Sequence, residues 1–144
     1  MEPHVSDIVR IIQLVVAPVF LLTAVGTIIA ALNMRLGRAV DRRRVLEVKL
    51  GSLANNEVEA ARDELAQIAR RIRYVYLSIL FAVLSAIFVC LLIAGAFIGA
   101  LLSAEMSRTI AGLFVAAMLA LIASLLLFLR EIFLAVASPR HVPK

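Results

Sequence analysis

The chain has 144 residues, 63% of them hydrophobic and 17% charged, with a net charge of +5. So apolar a composition, with mean hydropathy +1.02, excludes an ordinary soluble domain, in which about half the residues are apolar. The single cysteine, Cys90, sits inside an apolar run, which excludes a disulfide framework and a thiolate metal site.

The first seven residues read as an external flank with no basic n-region, and the apolar run behind them is too long for a cleavable signal peptide. Residues 8–33 therefore predict a retained first transmembrane helix, since about 20 helical residues cross the hydrocarbon. Pro18 removes a backbone donor toward Leu14 and predicts a kink. Residues 34–73 form a basic segment carrying ten of the fifteen Lys and Arg residues. A second span covers 74–102, with Tyr74 and Tyr76 at its charged end, where amphipathic rings settle. A short polar loop, 103–108, leads to a third span at 109–130, and residues 131–144 form a tail with Pro139 and Pro143. The fold class is all-α: an integral membrane protein of three transmembrane helices with a helical hairpin between the first and second.

Inside the basic segment Val58, Ala61, Leu65, Ile68, Ile72 and Val75 advance by alternating steps of three and four, the stripe of a helix that packs on a partner. Leu36, Ala39 or Val40, Arg43, Leu46, Leu50 and Leu53 give a similar stripe, broken at Arg43. LANN between them predicts the turn, with Asn56 as helix N-cap and Glu59 reaching back to it. Two antiparallel arms continuous with the spans follow from this; the other arrangement lays the Leu36–Leu53 arm on the inner leaflet as an amphipathic helix.

Positive charge is retained on the cytoplasmic side. The basic segment and the C-terminal region, with Arg130, Arg140 and Lys144, outweigh Arg10 and Arg108. The N-terminus is thus expected outside and the C-terminus inside, which places His4 and His141 on opposite sides. Basic loops beside spans also explain the net charge better than nucleic acid does, because no aromatic interleaving accompanies it.

The order VSDIVRIIQLVVAPVFLLTAVG, LNMRLGRAVDRRRVLE and ARRIRYVYLSI, followed by two apolar spans, resembles the bacterial membrane family catalogued as domain of unknown function 2721. RLGRAVDRRR after a proline-containing span is its most specific part. The resemblance implies a small bacterial membrane protein of three or so spans and brings no activity with it; the inner, cytoplasmic membrane is the expected location.

Four sets of residues are candidates for function. Asp7, Arg10 and Gln13 lie three apart along the first span; with Pro18 and Asn33 they would line a pore if first helices faced one another, Val15, Val19 and Leu22 forming a constriction. The bland reading is snorkelling and capping at the interface. Arg35, Arg38, Arg42, Arg43, Arg44, Arg70, Arg71 and Arg73 form a cationic collar suited to anionic lipid headgroups or an acidic protein partner, beyond its role in topology. Asp41, three residues from both Arg38 and Arg44, is either a solvated pair or an ion pair between arms or subunits. Gly95, Gly99, Gly112, Ala116, Ala120 and Ser124 give small-residue faces for helix packing within or between subunits.

Catalysis has no support in the pattern: there is no nucleophile–base–acid set, metal cluster or phosphate loop, so neither catalytic residue nor cofactor is expected. Two functions remain, a homo-oligomeric structural or interaction protein working through the basic hairpin and a small oligomeric channel lined by the first helix.

Overall fold

The computed structural model describes residues 2–52 and 54–137, without the side chains of residues 2–4 and 7. It contains α1 (Glu2–Leu50), α2 (Asn55–Leu101) and α3 (Ser107–Ala137), and no strand among the described residues. All three are long and apolar enough to cross a membrane. With 49 and 47 residues, α1 and α2 are each more than twice the length that crossing requires, about 20 residues.

Helical structure reaches further than the hydropathy steps suggested. The first helix begins at Glu2 and continues unbroken through Pro18, whose lost donor affects one rung of a ladder that closes again on either side. Thr23 and Thr27 add side-chain bonds to the carbonyls four residues back, at 3.3 and 3.1 Å. α3 passes through Glu131 and ends at Ala137, so the start of the expected tail is helix. Residues 138–144, with Pro139, Arg140, His141 and Pro143, lie outside the described residues.

The turn after α1 differs from expectation in its cap. Ser52 closes α1, its backbone N–H and its hydroxyl each donating to the Lys49 carbonyl at 3.0 Å. The Ala54 carbonyl accepts from the N–H groups of Glu57 and Val58 at 2.9 and 3.2 Å, so Ala54 holds the cap position and Asn56 lies within the first turn. A capping box from Asn56 to Glu59 is therefore absent. Glu57 in the first turn still complements the helix dipole. Leu53 is outside the described residues.

α2 ends in a Schellman turn. The Ser103 and Ala104 N–H groups bond the carbonyls of Ala100 and Gly99, at 3.3 and 2.9 Å, with Ser103 left-handed at φ 52. Gly99 lies under this turn: a Cβ there would meet the Ala104 carbonyl oxygen and Met106 Sδ, both at 3.4 Å.

The stripe expected on α2 is buried or half-buried at each of its six positions from Val58 to Val75, and continues through Ser78, Ala82, Ser85, Val89 and Leu92. Ala61, Ile68, Val75, Ala82 and Val89 are spaced by seven, the repeat that keeps one helix face on its neighbours under a left-handed twist. On α1, Leu36, Ala39, Val40, Leu46 and Leu50 are at least half-buried and Arg43 is exposed.

The chain divides into two compact units. One, residues 1–29 and 81–123, has a core of Val25, Ala82 and Leu121 flanked by Leu21, Ile28, Ile29 and Ala86. Here the buried Ser85 hydroxyl donates to the Ala117 carbonyl at 2.8 Å, joining α2 to α3. The other, residues 30–80 and 124–144, buries Leu32, Leu46, Ala61, Ile68 and Val75. In it Ser78 and Ser124 exchange hydrogen bonds, each hydroxyl donating to the other's carbonyl at 2.7 Å. Only small side chains allow α2 and α3 to approach closely enough for that exchange.

Candidate functional site

The second unit contains the only fully buried carboxylate among the described residues, and three sequence positions bring it about. On α1 the apolar run ends at the buried Leu32, and Arg35 follows one turn on. On α2 the run begins near the buried Val75, with Arg71 one turn before it. On α3 Glu131 comes seven residues after Ser124, two turns along the same buried face.

Arg35 Nη1 donates to Glu131 Oε2 at 2.8 Å, while Arg71 donates to Oε1 from Nε at 3.3 Å and Nη2 at 3.2 Å. One carboxylate thus ties α1, α2 and α3. The Glu131 side chain is 3% exposed, against 43% for Arg35 and 37% for Arg71. The acid is withdrawn from water and the bases are not, so the cost of desolvation falls mainly on Glu131, and two guanidiniums offset it. Arg35 also lies over the Phe128 ring, 5.0 Å from its centroid, where the π face favours a cation.

A cavity of about 280 Å³ adjoins this triad, lined by Arg35, Arg38, Ala39, Arg42, Ile68, Arg71 and Glu131. Arg42 bonds Glu64 at 3.0 Å across α1 and α2, both side chains being well exposed. Arg38 makes no hydrogen bond or ion pair among the described residues. The wall therefore carries four cations and one buried anion.

The expected collar is accordingly of three kinds. Arg35 and Arg71 are held by Glu131; Arg42 and Arg43 form exposed pairs with Glu64 and Glu47, each at 3.0 Å; Arg38, Arg44, Arg70 and Arg73 are exposed and have no ion pair. Asp41 is exposed and forms neither a local ion pair nor one between α1 and α2 among the described residues, which corrects the intrachain part of the expectation. Its side chain leaves the helix on the solvent side, and Arg42, its neighbour, makes the contact between arms.

The proposed pore set does not share one surface. Arg10 and Gln13 are exposed and line a shallow depression with Ser6 and Val9, Asn33 is exposed, and Pro18 is buried. Val15 is buried, Leu22 half-buried and Val19 exposed, so these do not form one lining either. The Asp7 side chain lies outside the described residues.

The small-residue faces also separate. Ala120 and Ser124 are buried, Ala116 is half-buried, and Gly112 is exposed. A Cβ on Gly95 or Gly112 would meet nothing within 4 Å, so neither marks a close helix approach among the described residues. Steps of four advance about 40° beyond each 3.6-residue turn, and three such steps carry Gly112 about 120° from Ser124.

Glu131 was missed as a site residue because the drop in hydropathy at Arg130 read as the end of the span. The available signal was its seven-residue spacing from Ser124, with apolar residues continuing to Ala137.

An all-helical chain with three helices of membrane-crossing length and apolarity, cross-tied by buried hydroxyls and one shared carboxylate, has the makings of a multi-pass membrane protein. Its membership is more specific than that class. The chain belongs to the family described as protein of unknown function (DUF2721), whose sequence profile matches residues 15–141, a stretch that includes Arg35, Arg71 and Glu131. Neither a curated protein nor a solved structure matches it.

Proposed function

We propose that this is a non-enzymatic, homo-oligomeric protein of the bacterial inner membrane, with its N-terminus outside and its C-terminus in the cytoplasm. The second half of α1 and the first half of α2 form a cytoplasmic helical hairpin that acts as an interaction module for anionic lipid and a protein partner. The observation carrying this reading is the split among the arginines. Two are committed to Glu131, which fixes the base of the hairpin, while Arg38, Arg44, Arg70 and Arg73 remain exposed and unpaired in the described chain. A segment whose arginines served only to set topology would need no buried carboxylate at its root. The separation of Pro18 and Val15 from Arg10, Gln13 and Asn33 gives the channel reading no support.

The test is cysteine accessibility in a Cys90→Ser background, with single cysteines at Ser52 and Ser107 labelled by an impermeant maleimide in right-side-out and inverted vesicles. Ser52 should label only in inverted vesicles and Ser107 only in right-side-out ones. The opposite pattern would overturn the topology and the cytoplasmic role. Light scattering of the detergent-solubilised protein tests the oligomer, and a monomer mass would remove that part.

A further inference from the structure

We propose that the cavity beside Glu131 is a binding site for a phosphate group, either the headgroup phosphate of an anionic phospholipid or a soluble phosphate. The first argument is charge. Four guanidiniums and one carboxylate line the space, and the carboxylate is already shared by two of them. Guanidinium groups match phosphate oxygens in planar, often bidentate geometry.

The second argument is pre-organisation. Like-charged side chains that converge on a cavity ordinarily repel and splay into water. Here Glu131 holds Arg35 and Arg71 at the wall, and Phe128 underlies the Arg35 guanidinium. Each guanidinium has five N–H donors. Glu131 takes one from Arg35 and two from Arg71, leaving donors on both for a ligand. Arg38 brings a guanidinium with no partner in the described chain.

The third argument is placement and size. The triad joins the points at which α1 and α2 pass between apolar and charged sequence, near Leu32 and Val75, to the Arg130–Glu131 pair that interrupts the apolar run of α3, which is the level of lipid headgroups if the apolar runs lie in hydrocarbon. At about 280 Å³ the space is near the lower bound for small-molecule pockets, about 300 Å³, and suits a headgroup or small phosphate better than a larger ligand. The proposal sharpens the anionic-lipid part of the proposed function into one site, yet it rests on the cavity and not on topology. Its test uses solubilised protein, so failure of the site and failure of the orientation are told apart.

The experiment measures binding to the full chain in neutral detergent. The probes are a short-chain phosphatidylglycerol, the matching phosphatidylcholine and inorganic phosphate, read by thermal shift and by native mass spectrometry. Phosphatidylglycerol should bind and raise the melting temperature, and phosphatidylcholine should do so at least about tenfold more weakly. Arg38→Ala, which removes a lining residue that makes no hydrogen bond or ion pair among the described residues, should weaken phosphatidylglycerol about tenfold or more, the loss of one charge-assisted hydrogen bond. Arg44→Ala, an exposed arginine outside the cavity, should change it less than about twofold. Competition by millimolar inorganic phosphate, lost in Arg38→Ala, would assign the soluble source; lack of competition with phosphatidylglycerol still bound would assign the lipid. Equal weakening by both variants would reduce the effect to diffuse surface charge and overturn the site. So would unaltered phosphatidylglycerol binding by Arg38→Ala, or binding of none of the probes.

Discussion

Removing Arg35 and Arg71 together should destabilise the protein far more than removing Glu131, although either change breaks the same bonds. The asymmetry comes from burial, because the Glu131 side chain is 3% exposed while the arginines are 43% and 37% exposed. In Arg35→Ala/Arg71→Ala the carboxylate stays buried without a counter-charge, a situation that costs about 3–5 kcal/mol. Either arginine change alone leaves the other guanidinium in place and costs about 1.5–3 kcal/mol, the range for a hydrogen bond to a charged group. Glu131→Gln leaves two guanidiniums that can turn to water, so its cost should lie at the low end, about 1.5 kcal/mol. Adding Glu131→Leu to the double variant removes the stranded charge and should restore most of the loss, since apolar replacement of a whole buried ionic set is often neutral. Unfolding in mixed micelles titrated with sodium dodecyl sulfate, followed by far-ultraviolet circular dichroism, measures all five variants on one scale. A double variant within about 1 kcal/mol of the parent, or a triple variant no more stable than the double, would refute the argument from burial.

Other substitutions test other contacts by the same assay. Ser124→Ala should cost only about 0.6 kcal/mol, the average for a hydrogen bond between membrane helices; Ser124→Leu, which inserts bulk where Ser78 and Ser124 touch, should cost about 1–3 kcal/mol or more. Ser103→Gly should stabilise by about 1 kcal/mol, because glycine accepts the left-handed φ of 52 without Cβ strain. Gly112→Ala should stabilise by about 0.5–1 kcal/mol in isolated monomers, as nothing lies within 4 Å of the new methyl. A shift toward monomers in light scattering on that substitution would instead place Gly112 at a contact between copies. Asp41→Asn should fall within about 0.5 kcal/mol of the parent, since Asp41 is exposed and unpaired, and a larger loss would point to an ion pair formed only in the assembly.

The helices were legible because length and hydropathy are local properties, and the α2 stripe because its alternating steps of three and four hold a constant face. What escaped depended on contacts between distant residues. Hydropathy counts Arg130 and Glu131 alike as polar, but Glu131 is removed from water by two arginines 60 and 96 residues away in sequence. Asn56 has good capping chemistry, yet the chain enters the helix two residues earlier, through Ala54. Gly112 shared a four-residue spacing with Ser124 but not a helix face. In the collar, sequence alone could not distinguish the arginines held by Glu131 from those left to solvent.

Glu131 is also the last member of its triad to be synthesised. Arg35 and Arg71 leave the ribosome long before it, so during synthesis two guanidiniums wait at the roots of their helices for a counter-charge that only the third helix can bring. Locking of the second unit is thereby tied to arrival of α3. An incomplete chain exposes two uncompensated cations, whereas a finished one hides the Glu131 carboxylate between them.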